Sequence, residues 1–249
     1  MFDTLRAQAS EPLTVVRPGR VDYLVAWDWQ RDLAERRARD EIGDVVLLLE
    51  HPAVYTLGRR ADEANIVLDA DERDRRGIAV HRIDRGGDVT YHGPGQLVGY
   101  PILRLSGPRV VDHVRALEEL NLRLAAAHGI TGERVTGYSG VWVGTRKVTA
   151  VGVHVTAGRV TTHGWATNVR TNLDDFTGIV PCGITDRGVT SFADLGVDLS
   201  MDAAADDTIA ALSAVYGVPV QIASPAEVGL TRPGTTDPSD AVSPVPSAR

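Results

Sequence analysis

Two side chains stand out for the chemistry they could do, because each type occurs once in a chain of 249 residues. Cys182 is the only cysteine, and Lys147 is the only lysine among 26 Lys plus Arg residues, with arginine at every other basic position. A thiol attacks as its thiolate, and a positive neighbour raises the thiolate fraction. Arginine keeps its proton at all accessible pH, whereas a desolvated lysine can give its proton up and act as a base or a Schiff-base amine. Cys182 sits in Pro181-Cys182-Gly183, a rigid entry and a permissive exit that suit a thiol displayed at a turn. The competing readings are a small buried hydrophobe at 182 and a chance lysine surviving codon bias at 147.

Paired, the two could move an acyl group. A thiolate at 182 can accept an acyl group from a thioester by thiol–thioester exchange, a nearly neutral step, and passing it to an amine as an amide is downhill. Lys147 would take the proton of each incoming nucleophile and return it to each leaving thiol. Backbone N–H groups near Gly183 or in a Gly-rich loop would stabilise the oxyanion. No nucleotide is required. The densest Gly-rich stretch, Arg85 to Gln96, has five Gly or Pro residues but lacks the Lys-Ser/Thr ending of a phosphate loop. It reads either as a wall that lets backbone approach a ligand or as two tight turns, Gly86-Gly87 and Gly93-Pro94.

Seven histidines compete for the base role. His92 and His163 lie in Gly-flanked contexts and are candidates to line a site, whereas His51, His81, His113, His128 and His154 read as structural. No spacing suits zinc, so no metal and no cofactor is expected.

The bulk properties narrow the class. With 43% hydrophobic residues the chain can bury a substantial core, and no composition break interrupts 12–223, so residues 1–223 read as one domain. A net charge of -7 argues against nucleic-acid or anionic-membrane partners. The first ten residues lack a signal-peptide core, no run reaches the roughly 20 apolar residues of a membrane span, and a single cysteine builds no disulfide framework, so a cytoplasmic location is expected.

The elements that must position these residues follow from periodicity. Strands are predicted at 13–17, 45–49, 53–57, 78–83 and 97–105. Helices are predicted at 22–41, with Tyr23, Leu24, Trp27, Ala34 and Ala38 on its apolar face, at 111–128 and at 201–216, and a short solvated helix or turn at 69–76. From Val135 to Val169 the pattern predicts an antiparallel meander with Lys147 opening its longest strand, and a last strand covers 218–222. Residues 224–249, poor in large apolar side chains, read as a disordered tail.

Four stretches in order then resemble one family. Arg85-Gly-Gly-Asp-Val-Thr-Tyr-His-Gly-Pro-Gly-Gln96, Thr145-Arg-Lys-Val-Thr-Ala-Val-Gly152, His163-Gly-Trp-Ala-Thr-Asn168 and Pro181-Cys-Gly-Ile-Thr-Asp-Arg-Gly-Val-Thr-Ser191 are similar to the motifs of lipoyl(octanoyl) transferases. The resemblance implies transfer of octanoyl from octanoyl-acyl carrier protein to a lysine of lipoyl domains, those of 2-oxoacid dehydrogenases and the glycine-cleavage carrier protein. It implies a Cys/Lys dyad, with Cys182 the nucleophile of an acyl-enzyme thioester and Lys147 the acid/base. Arg85, Gly86, Gly87, Asp88, Val89, Thr90, Tyr91, His92, Ala150, Val151, Gly152, Gly164, Trp165 and Ala166 would line the acyl substrate. It implies an α/β fold shared with lipoate and biotin ligases, a mixed, largely antiparallel sheet with flanking helices. Thr149, Thr167 and Trp165 depart from the residues usual in the family, which bears on acyl chain length.

Three rivals remain: an ATP-dependent lipoate–protein ligase, a Cys-dependent hydrolase and a non-catalytic carrier-binding module. For an acidic carrier, Arg59, Arg60, Arg73, Arg75, Arg76 and Arg82 are the candidate contacts, though nearby acids offset them.

Overall fold

A computed structural model of the chain describes residues 2–180 and 187–231. Its frame is a mixed sheet. β1 (Leu13–Arg20) lies between β12 (Val220–Ala223) and β2 (Val45–Glu50), parallel to both. From β2 the sheet continues antiparallel through β6 (Gln96–Ile102), β10 (Thr161–Asn168), β9 (Arg146–Val155), β8 (Tyr138–Val143) and β7 (Glu133–Val135). The two-residue β11 (Gly188–Val189) pairs parallel with the start of β9. A second sheet of three strands places β3 (Val54–Leu57) between β4 (Ala79–Arg82) and β5 (Val89–His92). The mixed, largely antiparallel α/β architecture read from the sequence is the one observed. The middle of the Gly-rich stretch is strand, β5, and its last residue, Gln96, opens β6.

Each face of the large sheet has its own core. Helices α3 (Val110–Ala127) and α4 (Met201–Tyr216) cover one face, where Leu117, Leu120, Leu124, Leu212 and Val215 meet Val15, Leu48, Val148 and Trp165. Helix α1 (Tyr23–Ala38) covers part of the other, packing Ala26, Trp29 and Leu33 on Leu47, Val98 and Ala166. A short helix α2 (Ala70–Arg76) is capped by Asp69 and ended by Gly77 in the left-handed region.

The apolar reading of α1 needs correction. Leu24 is exposed, and the buried face instead includes Gln30 and Arg37. Arg37 and Arg6 both bond the buried Asp44 carboxylate, Nε to Oδ1 at 2.7 Å and Nε to Oδ2 at 2.6 Å. A helix that buries charge through partners distant in sequence does not show its inward face as apolar periodicity. Past residue 223 the chain still packs: Leu230 is buried, and Trp29 donates to the Thr231 carbonyl at 2.8 Å. The expected tail is therefore folded as far as the described residues go on that side; 232–249 lie outside them. Among the described residues no helix is long and apolar enough to cross a membrane.

Candidate active site

Lys147 owes its position to one extra residue. In the β8–β9 ladder Val141 pairs with Thr149 but Trp142 pairs with Lys147, so Val148 has no partner of its own and the register shifts. Such a β-bulge breaks the strict alternation of faces. Val148 joins the core under α3, and Thr149 lies on the same side, where its hydroxyl reaches Thr167 Oγ1 at 3.1 Å and that hydroxyl donates to Asn121 Oδ1 of α3 at 2.6 Å. Lys147 is thereby set on the opposite face with Ala150 and Gly152, and all three line one cavity. Without the bulge, simple alternation would have put Lys147 and Ala150 on opposite faces.

The lysine is held against aromatic surface. Its Nζ lies 4.7 Å from the centre of a Trp142 ring, and the Arg187 guanidinium is 5.3 Å from that side chain and 5.1 Å from Tyr138. Cations over indole gain from the ring quadrupole, more so as water is excluded. Val189 pairs with Lys147 in the parallel β11–β9 ladder, and the Thr190 N–H donates to the Lys147 carbonyl at 3.0 Å. On the other side of the six residues 181–186, the Val180 N–H donates to the Asn65 carbonyl at 2.8 Å, and Asn65 donates to Asp88 Oδ2 at 2.8 Å. Cys182 and Gly183 lie outside the described residues; Val180 and Arg187, which flank 181–186, both line the cavity.

That cavity, about 470 Å³, is bounded by the meander strands and by the Gly-rich stretch. Of the residues the resemblance assigns to it, Arg85, Gly86, Gly87, Asp88, Val89, Thr90, His92, Ala150, Val151, Gly152, Gly164, Trp165 and Ala166 all line it. Tyr91 does not. Its ring packs between Tyr55 and Phe176, and its hydroxyl donates to Asp175 Oδ2 at 2.9 Å. Arg85 is buried and serves the wall: its guanidinium donates to the Thr56 carbonyl at 2.7 Å, the Thr56 hydroxyl at 2.9 Å and the Gly86 carbonyl at 3.1 Å. Of the unusual residues, only Trp165 faces the cavity, its ring filling the space where a Gly99 Cβ would lie. Thr149 and Thr167 belong to the tie beneath the sheet, so their effect on acyl length is ruled out as direct contact.

The other end of the cavity joins the two candidate histidines, His92 and His163, to Tyr23, Tyr100 and His51, for which the sequence suggests no site role. Tyr23, His92, Tyr100 and His163 line it, and His51 stands behind them. Their rings are neighbours: Tyr23 to His92 5.8 Å, Tyr23 to His51 5.0 Å, Tyr100 to His163 6.4 Å. His51 donates from Nδ1 to the Val21 carbonyl at 2.7 Å, which leaves Nε2 to accept the Tyr100 hydroxyl at 2.7 Å. The Gln96 amide nitrogen donates to Tyr91 O and Asn168 Oδ1, so its Oε1 accepts from His92 Nδ1 at 2.7 Å. Burial holds His51 at about 4 and pushes His92 well below the usual histidine value, so both rings are neutral at pH 7. Burial likewise raises the Tyr23 and Tyr100 hydroxyls, which stay protonated. His163 Nε2 is 2.7 Å from Asp84 Oδ1. That hydrogen bond, ahead of the charge interaction, lowers Asp84 to about 2, while burial outweighs it at the ring and lowers His163. The pair is thus a carboxylate accepting from a neutral imidazole. Tyr23 and Tyr100 come from distant segments, and nothing in their local sequence marks them.

Among the described residues no group of three His, Cys, Asp or Glu side chains is placed to hold a metal.

A family model described as the lipoyl protein ligase A/B catalytic domain matches residues 22–213. The chain belongs to that family. Within the lipoyl protein ligase A/B family, it is 52% identical over 209 residues to an octanoyltransferase of Chloroflexus aggregans, covering 82% of this chain and 95% of that protein. An octanoyltransferase of Gloeobacter violaceus is 46% identical over 207 residues, covering 82% and 90%. Among solved structures, lipoate-protein ligase A bound with ATP superposes with a TM-score of 0.66 at 16% identity, covering 86% of this chain and 89% of that one. The bipartite lipoate protein ligase of Thermoplasma acidophilum gives 0.64 at 17%, covering 86% and 87%. At those identities the structural likeness speaks for the fold, and the family fold is the one the motifs implied.

Proposed function

We propose that this chain is an octanoyltransferase that takes octanoyl from octanoyl-acyl carrier protein onto Cys182 and passes it to a lysine of a lipoyl domain. The observation that carries the reading is the bulge at Val148, which puts the chain's one lysine on the face of an acyl-sized cavity whose rim includes both flanks of 181–186. Support comes also from relatives named octanoyltransferase at 52% and 46% identity. The domain read as 1–223, carried on by the packing of Leu230 and Thr231, would act as one catalytic domain in a reducing cytoplasm that keeps the thiol free.

In the first half-reaction the Cys182 thiol gives its proton to Lys147 Nζ and the thiolate attacks the thioester carbonyl. The carbon–sulfur bond to the carrier breaks, and the departing thiolate takes the proton back from Lys147. In the second, the acceptor's amine attacks the Cys182 thioester, its surplus proton passes to Lys147, and the Cys182 thiolate leaves to be reprotonated. Nothing is oxidised and no nucleotide is consumed. Trp142, 4.7 Å from Nζ, would hold the ammonium that Lys147 becomes on taking the thiol's proton.

Intact-mass measurement after mixing the full chain with octanoyl carrier protein, without nucleotide, tests this. One octanoyl increment on Cys182, lost on adding a lipoyl domain with gain of the same mass there, is expected. A strict ATP requirement favours the ligase reading, whose fold this chain shares. Free octanoic acid formed at the same rate without an acceptor favours the hydrolase.

A further inference from the structure

The cavity's far end has a chemistry of its own. Lys147 and Gly152 are five residues apart on β9, about 16 Å at the strand rise. Between them the wall is apolar: Ala150, Val151, Trp165 and Ala166. At Gly152 the Gly-rich stretch crosses the strand, with the Gly86 N–H donating to the Val153 carbonyl at 3.1 Å. The backbones are so close that a Cβ on Gly152 would lie 3.1 Å from the Gly86 carbonyl oxygen, and one on Gly86 3.2 Å from that of Val153. Backbone closes the space here, and the side chains gathered at the closure are polar.

His163 is the sharpest of them. It is 1% exposed, occupies the left-handed region at φ 56°, lines the cavity, and carries Nε2 on Asp84. Its buried Nδ1 has no hydrogen-bond partner among the described residues. With Nε2–H donating to a carboxylate, Nδ1 is an acceptor, and only water or a ligand donor can satisfy it. Tyr23 lies on the same cavity wall, its hydroxyl in a side-chain hydrogen bond with Tyr100.

We propose that this polar closure sets the upper limit on acyl chain length. An acyl chain running from the Lys147 end gains by burying each methylene against the apolar stretch. A methyl that reaches the closure meets the His163 ring and the Tyr23 and Tyr100 hydroxyls in place of apolar side chains, and a hydrocarbon has no donor for the open Nδ1 acceptor and no replacement for water held beside these groups. The limit is thus one of polarity as well as length, so removing polar atoms without enlarging the cavity should relax it. The idea rests on the acyl-transfer reading, but its test does not require transfer.

Calorimetry with saturated fatty acids of six to fourteen carbons, on the full chain carrying Cys182→Ser, measures the length profile without chemistry. For the parent we expect affinity to rise with length and then drop at least tenfold over one two-carbon step. Tyr23→Phe, which deletes one oxygen, and the double variant Tyr23→Phe with His163→Leu should move that drop to longer acids, raising the long-to-short affinity ratio about tenfold or more. Because the ratio is taken within each variant, a loss of folded fraction cancels from it. A profile that rises through fourteen carbons in the parent, or variants whose ratio stays at the parent value, would overturn the proposal. Failure to bind any acid would overturn it together with the acyl-transfer reading. A normal length profile with no thioester adduct on Cys182 in the wild-type chain would sink the transfer reading alone.

Discussion

The cavity's two ends are built from opposite electrostatic materials. At one, Lys147 and Arg187 bring positive charge against Trp142, close to the rim. At the other, His51, His92, His163, Tyr23 and Tyr100 are all buried and neutral, and the charges beside them are tied into the wall, Asp84 to His163 and Arg85 to Thr56. A proton-shuttling end needs a group that can change its charge near neutral pH, and a binding end needs groups that cannot. Three histidines reach the cavity region, yet burial lowers the proton affinity of each; in the proposed transfer the proton exchange is therefore assigned to Lys147.

The largest break in this contrast should come from Lys147→Arg, which keeps the charge at the rim and removes the exchangeable proton. Transfer to a lipoyl domain should fall by about 10²- to 10⁴-fold, while fatty-acid binding at the neutral end stays within a few-fold of the parent. Measuring both on one preparation separates the ends, and equal losses in the two would refute the division of labour.

Acid should act on the neutral side of the molecule. His51 and His113 are held at about 4 in the fold, whereas an unfolded histidine titrates near 6.5. Between those values the unfolded chain binds more protons, so stability is full above about pH 6.5 and declines as pH falls toward 4. Each group contributes on the order of 3 kcal/mol to that decline. Thermal midpoints from pH 7.5 to 4.5 should show it. His113 lies buried in α3, and neither of its ring nitrogens has a partner among the described residues, so His113→Leu should flatten the slope without lowering the neutral-pH midpoint. A slope unchanged in that variant would count against the assignment.

Trp142→Leu tests the cationic end more gently. Loss of the ring beneath Lys147 and Arg187 should reduce transfer by roughly 3- to 30-fold, the range of a partly desolvated cation–π contact, with little change in acyl-length profile. The smallest effect concerns the carrier. Of the arginines proposed for it, Arg75 and Arg76 bond Glu72, Arg82 bonds Glu63 and Arg73 caps the Leu68 carbonyl. Arg59 and Arg60 are exposed and their backbones bond Arg85 and Gly87 of the cavity wall. Replacing both with alanine should raise the apparent KM for carrier thioester a few-fold and weaken its salt dependence, leaving kcat unchanged.

Much of this arrangement was legible from residue types alone. One lysine in an arginine-rich chain, one cysteine between Pro and Gly, and four motifs in order pointed to the chemistry and to the cavity's Gly-rich wall. Strand and helix positions followed from periodicities of two and 3.6, because an apolar face must be buried wherever the chain goes. What local pattern could not contain were the features made by partners far apart in sequence. The inward face of α1 was misread because Asp44 and His163 are what make Arg37 and Gln30 buriable. Tyr23 and Tyr100 met His51, His92 and His163 only through the crossing of α1 over the sheet. The bulge that aims Lys147 is a mismatch between two strands, invisible in either one alone. Sequence thus determined which groups could react, since that is a property of side-chain chemistry; tertiary structure decided which way they face and what surrounds them, since register and burial are set between segments.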